Sequence, residues 1–148
     1  KKFLLFLIPW FTVDFPQTPA EWRNDALAAR SEIVRAVRRV VTGALEEQRT
    51  AKVIGSSLEA CPTVYLTPEL AAVITDADAF ADLCITSQVK LETDAAPDGA
   101  FVNADVEGVA VIFAKATGQK CGRCWKILPD VGTHSHADVC ERCDQALS

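Results

Sequence analysis

Methionine is missing from all 148 residues, position 1 included, so a fragment or a processed product is expected. Histidine is nearly missing as well: the chain has two, His134 and His136, both close to its end. Long apolar runs are lacking. The one candidate, residues 1–11, begins with two lysines and mimics the front of a signal peptide. It is too short to span a bilayer, Pro9 interrupts it, and no small-residue cleavage site follows. A buried or extended piece of a larger protein is expected there, with a membrane anchor or a misjoined terminus as the alternatives. Repeats and low-complexity tracts are absent. This length accommodates one core of ordinary size plus a small satellite.

The net charge of −5 argues against indiscriminate nucleic-acid binding, yet the charge is unevenly spread. Nine acids face the single Lys90 between residues 69 and 107, whereas Lys115, Lys120, Arg123 and Lys126 meet no acid between residues 115 and 129. That cationic strip coincides with the first of two C-x-x-C pairs. Cys121 and Cys124 form one pair and Cys140 and Cys143 the other, with fifteen residues between them. A C-x-x-C turn converges two thiolates on one side of a tight loop, so two such turns supply a closed tetrahedron of sulfur for one structural Zn²⁺. A site of three cysteines and one histidine, drawing on His134 or His136, is the alternative ligand set.

Other cysteine chemistries fit less well. Two disulfides need an oxidising compartment and a small, loop-rich scaffold. A redox C-x-x-C stands alone at the start of a helix, and a zinc deaminase needs a His-x-Glu or Cys-x-Glu motif ahead of its cysteine pair, which is lacking. Cys61 and Cys84 lie in apolar surroundings and read as buried thiols without a function.

Thr18 followed by Pro19 should open a helix after a turn at Pro16. Over residues 31–52, Ile33, Val34, Val37, Val40, Val41, Ala44, Leu45 and Ala51 recur at three- and four-residue steps, predicting an amphipathic helix stopped by Gly55. Arg35, Arg38, Arg39 and Arg49 fall opposite that stripe, as a solvated face or as a phosphate contact. Residues 57–66 read as a strand with Pro62 at an edge or bulge. Pro68 opens a second helix with Leu70, Ala71, Val73 and Ile74 on its apolar face, ahead of an acidic turn at Asp76 and Asp78. Residues 83–91 and 106–114 read as strands, the latter with Val109, Val111 and Phe113 on one face, and residues 95–99 as a loop. The expected class is α+β: helices packed on a small antiparallel or mixed sheet, with a C-terminal four-cysteine zinc module. The expected division is an unassigned apolar segment at 1–12, a helical plus small-sheet domain at 13–116 and a zinc-binding module at 117–148.

The run Leu45-Glu46-Glu47-Gln48-Arg49-Thr50-Ala51-Lys52-Val53-Ile54-Gly55-Ser56-Ser57-Leu58-Glu59-Ala60 and the later Lys120-Cys121-Gly122-Arg123-Cys124-Trp125 together strongly resemble the C-terminal end of bacterial isoleucyl-tRNA synthetase, a class I aminoacyl-tRNA synthetase. The resemblance covers residues 13–147, including Ile85-Thr86-Ser87 and Val139-Cys140-Glu141-Arg142-Cys143, and stops short of residues 1–11. It implies a cytoplasmic fragment that helps hold the anticodon stem-loop of isoleucine tRNA, with the synthetase's upstream domains as partners. Neither a His-Ile-Gly-His-like nor a Lys-Met-Ser-Lys-Ser-like element occurs, so no catalytic residue is assigned and no adenylation is expected of the chain alone. Lys52-Val53-Ile54-Gly55-Ser56 is no substitute, because it continues a helix into a strand and lacks the second lysine. A monomer is expected.

Proteins read unstacked anticodon bases by stacking aromatic rings on them and bonding their exposed edges. Trp125 suits that task, directly after a metal-held cysteine, and Arg123 brings a planar fork for a phosphate or a base edge. By resemblance these two positions match the arginine and tryptophan that the family turns toward the anticodon, with Lys120 and Lys126 as flanking cations. The plainer reading has Trp125 covering the zinc cluster or packing on the sheet. The rival function is a zinc ribbon that holds a protein partner through the same tryptophan and cations.

Overall fold

The computed structural model describes residues 17–148. The opening apolar segment and the turn expected at Pro16 lie outside the described residues. Thr18 and Pro19 lead only into a single 3₁₀ turn at Ala20–Trp22, which has no side-chain cap bond. The long helix α1 is Asp25–Thr50, so it starts earlier than its apolar stripe predicts. Asn24 is the reason: its side-chain oxygen accepts the Leu27 N–H at 2.9 Å and satisfies one of the unpaired donors of the first turn. The buried stripe is Val37, Val40, Val41, Ala44 and Leu45, narrower than the sequence suggests because Ile33 is exposed. Lys52, in the left-handed region at φ 57°, turns the chain just after the helix, and Gly55 lies farther along.

Three of the four arginines opposite the stripe have partners within the chain. Arg35 pairs with Glu32, Arg49 with Glu46 at 2.8 Å, and Arg38 Nε donates to the Leu83 carbonyl at 2.6 Å.

The first half of the strand expected at 57–66 is a 3₁₀ turn, Ser57–Glu59, closed by a reciprocal capping box between Ser56 and Glu59. Strand β1 is Thr63–Leu66. It is central, not an edge, because Pro62 precedes the strand and removes no ladder donor, while its carbonyl accepts the Lys90 N–H at 3.0 Å. Helix α2, Pro68–Ala71, has proline at its start as expected, but it is a single turn that ends before Val73 and Ile74, which the expected apolar face included. Helix α3, Ala77–Cys84, replaces the expected acidic turn and the first part of the strand expected at 83–91. Asp76 caps it by accepting the Ala79 N–H at 2.9 Å, and Phe80, Ala81 and Cys84 form its buried face. Strand β2 is left with Lys90–Glu92. Strand β3, Phe101–Asn103, was not expected from sequence, and β4 is Val106–Ile112.

The sheet order is β2-β1-β4-β3. Strands β1 and β2 are parallel with Val64 opposite Leu91, and the other pairs are antiparallel, with Val111 opposite both Val64 and Phe101. The sheet is therefore mixed and the fold α+β, as expected. Helix α1 lies across β4 and β3. At Gly43 a Cβ would sit 2.9 Å from Phe101 Cζ, so the missing side chain is what lets helix and strand approach this closely. Leu45, Val64, Phe80 and Val111 fill the core between them. Each such side chain contributes about 1.5–3 kcal/mol by leaving water. No helix among the described residues is long and apolar enough to cross a membrane.

Candidate metal centre

The chain leaves the sheet beside the 3₁₀ turn. Cys61 N–H donates to the Ala114 carbonyl and Ala116 N–H to the Glu59 carbonyl, each at 2.8 Å. A two-stranded hairpin follows, β5 at Gln119–Lys120 and β6 at Ile127–Leu128, with Gln119 opposite Leu128. Gly118 allows it. At φ +122° any Cβ there would lie 2.3 Å from the Leu128 carbonyl carbon and oxygen.

The hairpin tip is the first cysteine turn. Cys121 N–H donates to the Lys126 carbonyl at 2.8 Å, and Trp125 N–H returns to the Cys121 carbonyl at 3.0 Å. The second pair starts just before helix α4, Glu141–Gln145, so that Cys140 precedes the helix and Cys143 lies within it. Gly122 N–H, donating to the Asp138 carbonyl at 2.7 Å, ties the two turns together.

The four Sγ atoms of Cys121, Cys124, Cys140 and Cys143 lie within 4.8 Å of one another, with Cys124 and Cys140 at 3.7 Å. Four Zn–S bonds of about 2.3 Å in a tetrahedron give edges of about 3.8 Å. The donor set therefore fits one Zn²⁺, closed on all sides by sulfur. Backbone donors support the charge this needs, since the N–H groups of Cys124 and Cys140 both approach Cys121 Sγ at 3.5 Å. Burial works against a Cys121 thiolate, but the N–H groups of Cys124, Cys140 and Arg123 outweigh it and bring the pKa down to about 6. Burial, with the neighbouring thiols adding to it, pushes Cys124 up to about 12. These backbone donors favour the thiolate form that zinc ligation requires at Cys121.

The histidines stand outside the tetrahedron. His134 Nε2 is 3.2 Å from Asp130 Oδ2, and His136 Nδ1 is 2.7 Å from Asp144 Oδ1. The same carboxylates take the Glu141 and His136 N–H groups at 2.8 Å, so each pair staples the loop between the cysteine turns. The apolar core beneath is small, Val131 and Val139 with Leu128 against the cysteines. Cys61 and Cys84 lie apart, both buried, and burial pushes the Cys84 thiol up to about 12.

The candidate contact residues separate in space. Trp125 is 60% exposed, with φ +67°, and Lys120 Nζ lies 5.7 Å from the centre of its ring. Together with Ile127 they face Ser56, Leu58 and Glu59 across an open cleft of about 540 Å³. Arg123 Nη1 approaches Cys143 Sγ at 3.7 Å, and the residue is otherwise exposed. Lys126 turns inward to Asp82 of α3 at 2.5 Å and is only 17% exposed. Asp82 and Ser87, which reach the module from the sheet domain, carried no sequence signal beyond Ser87's place in the Ile85-Thr86-Ser87 run.

A hairpin turn and a helix start that each give two thiolates to one tetrahedral site define a structural zinc finger. Residues 118–146 match the family described as a zinc finger found in FPG and IleRS. The chain is 57% identical over 136 residues to isoleucine–tRNA ligase of Ruegeria pomeroyi, a match covering 91% of this chain and 14% of that protein. It is 52% identical over 118 residues to the ligase of Brucella abortus, covering 80% and 12%, and 48% identical over 138 residues to that of Rhodopseudomonas palustris, covering 90% and 14%. The chain is thus similar to a zinc-finger-bearing segment of isoleucine–tRNA ligases and spans only 12–14% of the length of these relatives.

Proposed function

We propose that this segment binds the anticodon stem-loop of isoleucine tRNA on behalf of a cytoplasmic isoleucine–tRNA ligase, as a monomer working with that enzyme's upstream domains. In this reading residues 13–116 are the supporting domain and residues 117–148 the zinc-ordered knuckle. Adenylate formation, in this reading, belongs to the ligase's upstream domains and not to this segment. The observation that carries the proposal is Trp125, a large aromatic ring left 60% exposed on a backbone that directly follows Cys124 and returns its N–H to the Cys121 carbonyl. An unstacked base can lie on its free face while Lys120 stays near the ring. Base stacking of this kind is worth about 1–3 kcal/mol.

Arg123 has donors left beyond the one on Cys143 and supplies a fork for a phosphate or a base edge. Lys120 adds a phosphate contact at the rim of the cleft. Lys126, paired with Asp82, contributes to RNA binding only if that ion pair opens. The zinc holds the knuckle in shape and takes no part in recognition itself.

The test is binding of the zinc-loaded chain to isoleucine tRNA and to the same tRNA with an altered anticodon, at two salt concentrations. Preference for the native anticodon, lost roughly 5- to 150-fold in Trp125→Ala, supports the reading. Affinity should also fall steeply with salt, by a log–log slope of about 0.7 per phosphate contact on a single strand. Equal affinity for both tRNAs, or binding indifferent to salt, overturns it in favour of a protein-binding zinc ribbon.

A further inference from the structure

Side chains of the sheet domain tie down the knuckle at the two residues just after Trp125 and again at Arg142 of α4. Ser87, 3% exposed, donates its hydroxyl to the Leu58 carbonyl at 2.5 Å and accepts the Ile127 N–H at 2.6 Å. One hydroxyl therefore joins the 3₁₀ turn, the end of α3 and the hairpin. Asp82 holds two cations of the module at once, Lys126 at 2.5 Å and Arg142 at 3.0 Å. Trp125 is thus caught between Cys124, fixed by the sulfur cluster, and Lys126–Ile127, fixed by the sheet domain.

The chain bears strain to place Ser87 there. Ile85 closes α3 in the left-handed region, φ 58° and ψ 43°, with a β-branched side chain that is 57% exposed. Such a residue is normally excluded from that region, and the conformation costs on the order of 1–3 kcal/mol. It turns the backbone so that Thr86 N–H reaches the Ala81 carbonyl at 3.0 Å and Ser87 N–H the Ala60 carbonyl at 3.2 Å. Strain retained at an exposed turn that delivers one buried hydroxyl to the neighbouring module points to a demand on the geometry of that module.

We propose that Ser87 and Asp82 are positioning residues for RNA recognition: they hold the knuckle on the sheet domain so that Trp125 presents its ring in one orientation at the cleft. The proposal rests on the anticodon reading given above. It gives Asp82 a second effect. Its carboxylate occupies Lys126 and Arg142, cations that would otherwise add sequence-blind phosphate contacts.

The test uses the full zinc-loaded chain with Trp10→Phe and Trp22→Phe, leaving Trp125 as the sole tryptophan, and compares this parent with Ser87→Ala and Asp82→Asn. Because Ser87→Ala leaves two half-buried backbone groups without this partner, Asp82→Asn at the more exposed site serves as the second variant. With one zinc per chain and the far-ultraviolet circular dichroism retained, Trp125 anisotropy decay should gain a nanosecond component in each variant. Discrimination between native and altered anticodon should fall about tenfold. In Asp82→Asn the affinity for the altered anticodon should rise, and its salt slope should steepen by up to about 1.4, two contacts at about 0.7 each. Asp82→Glu should restore discrimination. Unchanged anisotropy in both variants overturns the positioning role whatever the RNA does. A parent chain that never discriminates between anticodons, while Trp125 loosens in the variants, instead overturns the anticodon reading and leaves the mechanical role in place.

Discussion

Cys124 Sγ and Cys140 Sγ, one from each cysteine turn, stand 3.7 Å apart, the edge length of a tetrahedral zinc–thiolate site. The pair joins the hairpin tip to the start of α4, so the metal closes the module as a disulfide would close a small scaffold. Replacing Cys121 or Cys143 with serine should abolish zinc retention and, with it, binding of tRNA. The helical signal of α1 should persist, because its contacts belong to a separate core. Zinc content by mass spectrometry of the native protein, read beside circular dichroism, checks this. Loss of metal with tRNA affinity intact would contradict it.

Gly118→Ala should damage the same module without touching a ligand. A Cβ at that position meets Leu128 backbone at 2.3 Å and Pro129 N at 2.6 Å, and neither can rotate away as a flexible side chain would. Strain of this kind costs on the order of 1–3 kcal/mol, so zinc affinity should drop roughly 5- to 150-fold. Competition against a chromophoric chelator reads the change directly.

Leu45→Ala should act on the other core. Leu45 is 1% exposed, on the face of α1 that packs toward the sheet, and truncation of such a residue costs about 2–5 kcal/mol. The main denaturation midpoint should fall accordingly, while the zinc content of the folded protein stays at one per chain. Urea melts followed by circular dichroism supply the measurement.

The hydrogen bond from Lys126 holds the Asp82 carboxyl below its usual range, with burial opposing and the charges of Lys126 and Arg142 assisting. A carboxylate with a lowered folded-state pKa stabilises the fold above its unfolded value, about 3.9, and loses that contribution only as pH falls through the lowered value. Asp82 is 45% exposed, so the gain over Asp82→Asn should stay below about 1 kcal/mol. That gap should be constant between pH 7 and pH 5. A gap that shrinks before pH 5 would show that Asp82 is not the group titrating.

The metal ligands and the long helix were legible because their signals are local. Two C-x-x-C turns carry their geometry in a spacing of three residues, and the α1 stripe repeats every three or four. Helix α3 was misread for the converse reason. Its last residues Leu83 and Cys84, with Ile85 just beyond, read as the start of a strand, and only the Asp76 cap and the packing of Phe80 decide for helix. Pro62 suggested an edge, yet the strand begins one residue later and gains neighbours on both sides, a matter of which distant segments pair.

The same division holds at the site. Composition and spacing by themselves determined a zinc centre of four cysteines, or of three with a histidine, with a tryptophan and cations around its first turn. Only the tertiary structure decided that Trp125 faces solvent, that Lys126 turns inward to Asp82, and that His134 and His136 stand against carboxylates instead of metal. The reason is physical: ligand geometry is set within a few bonds of backbone, whereas a side chain's direction and partner are set by what folding brings from 40 or more residues away, as with Lys126 and Asp82.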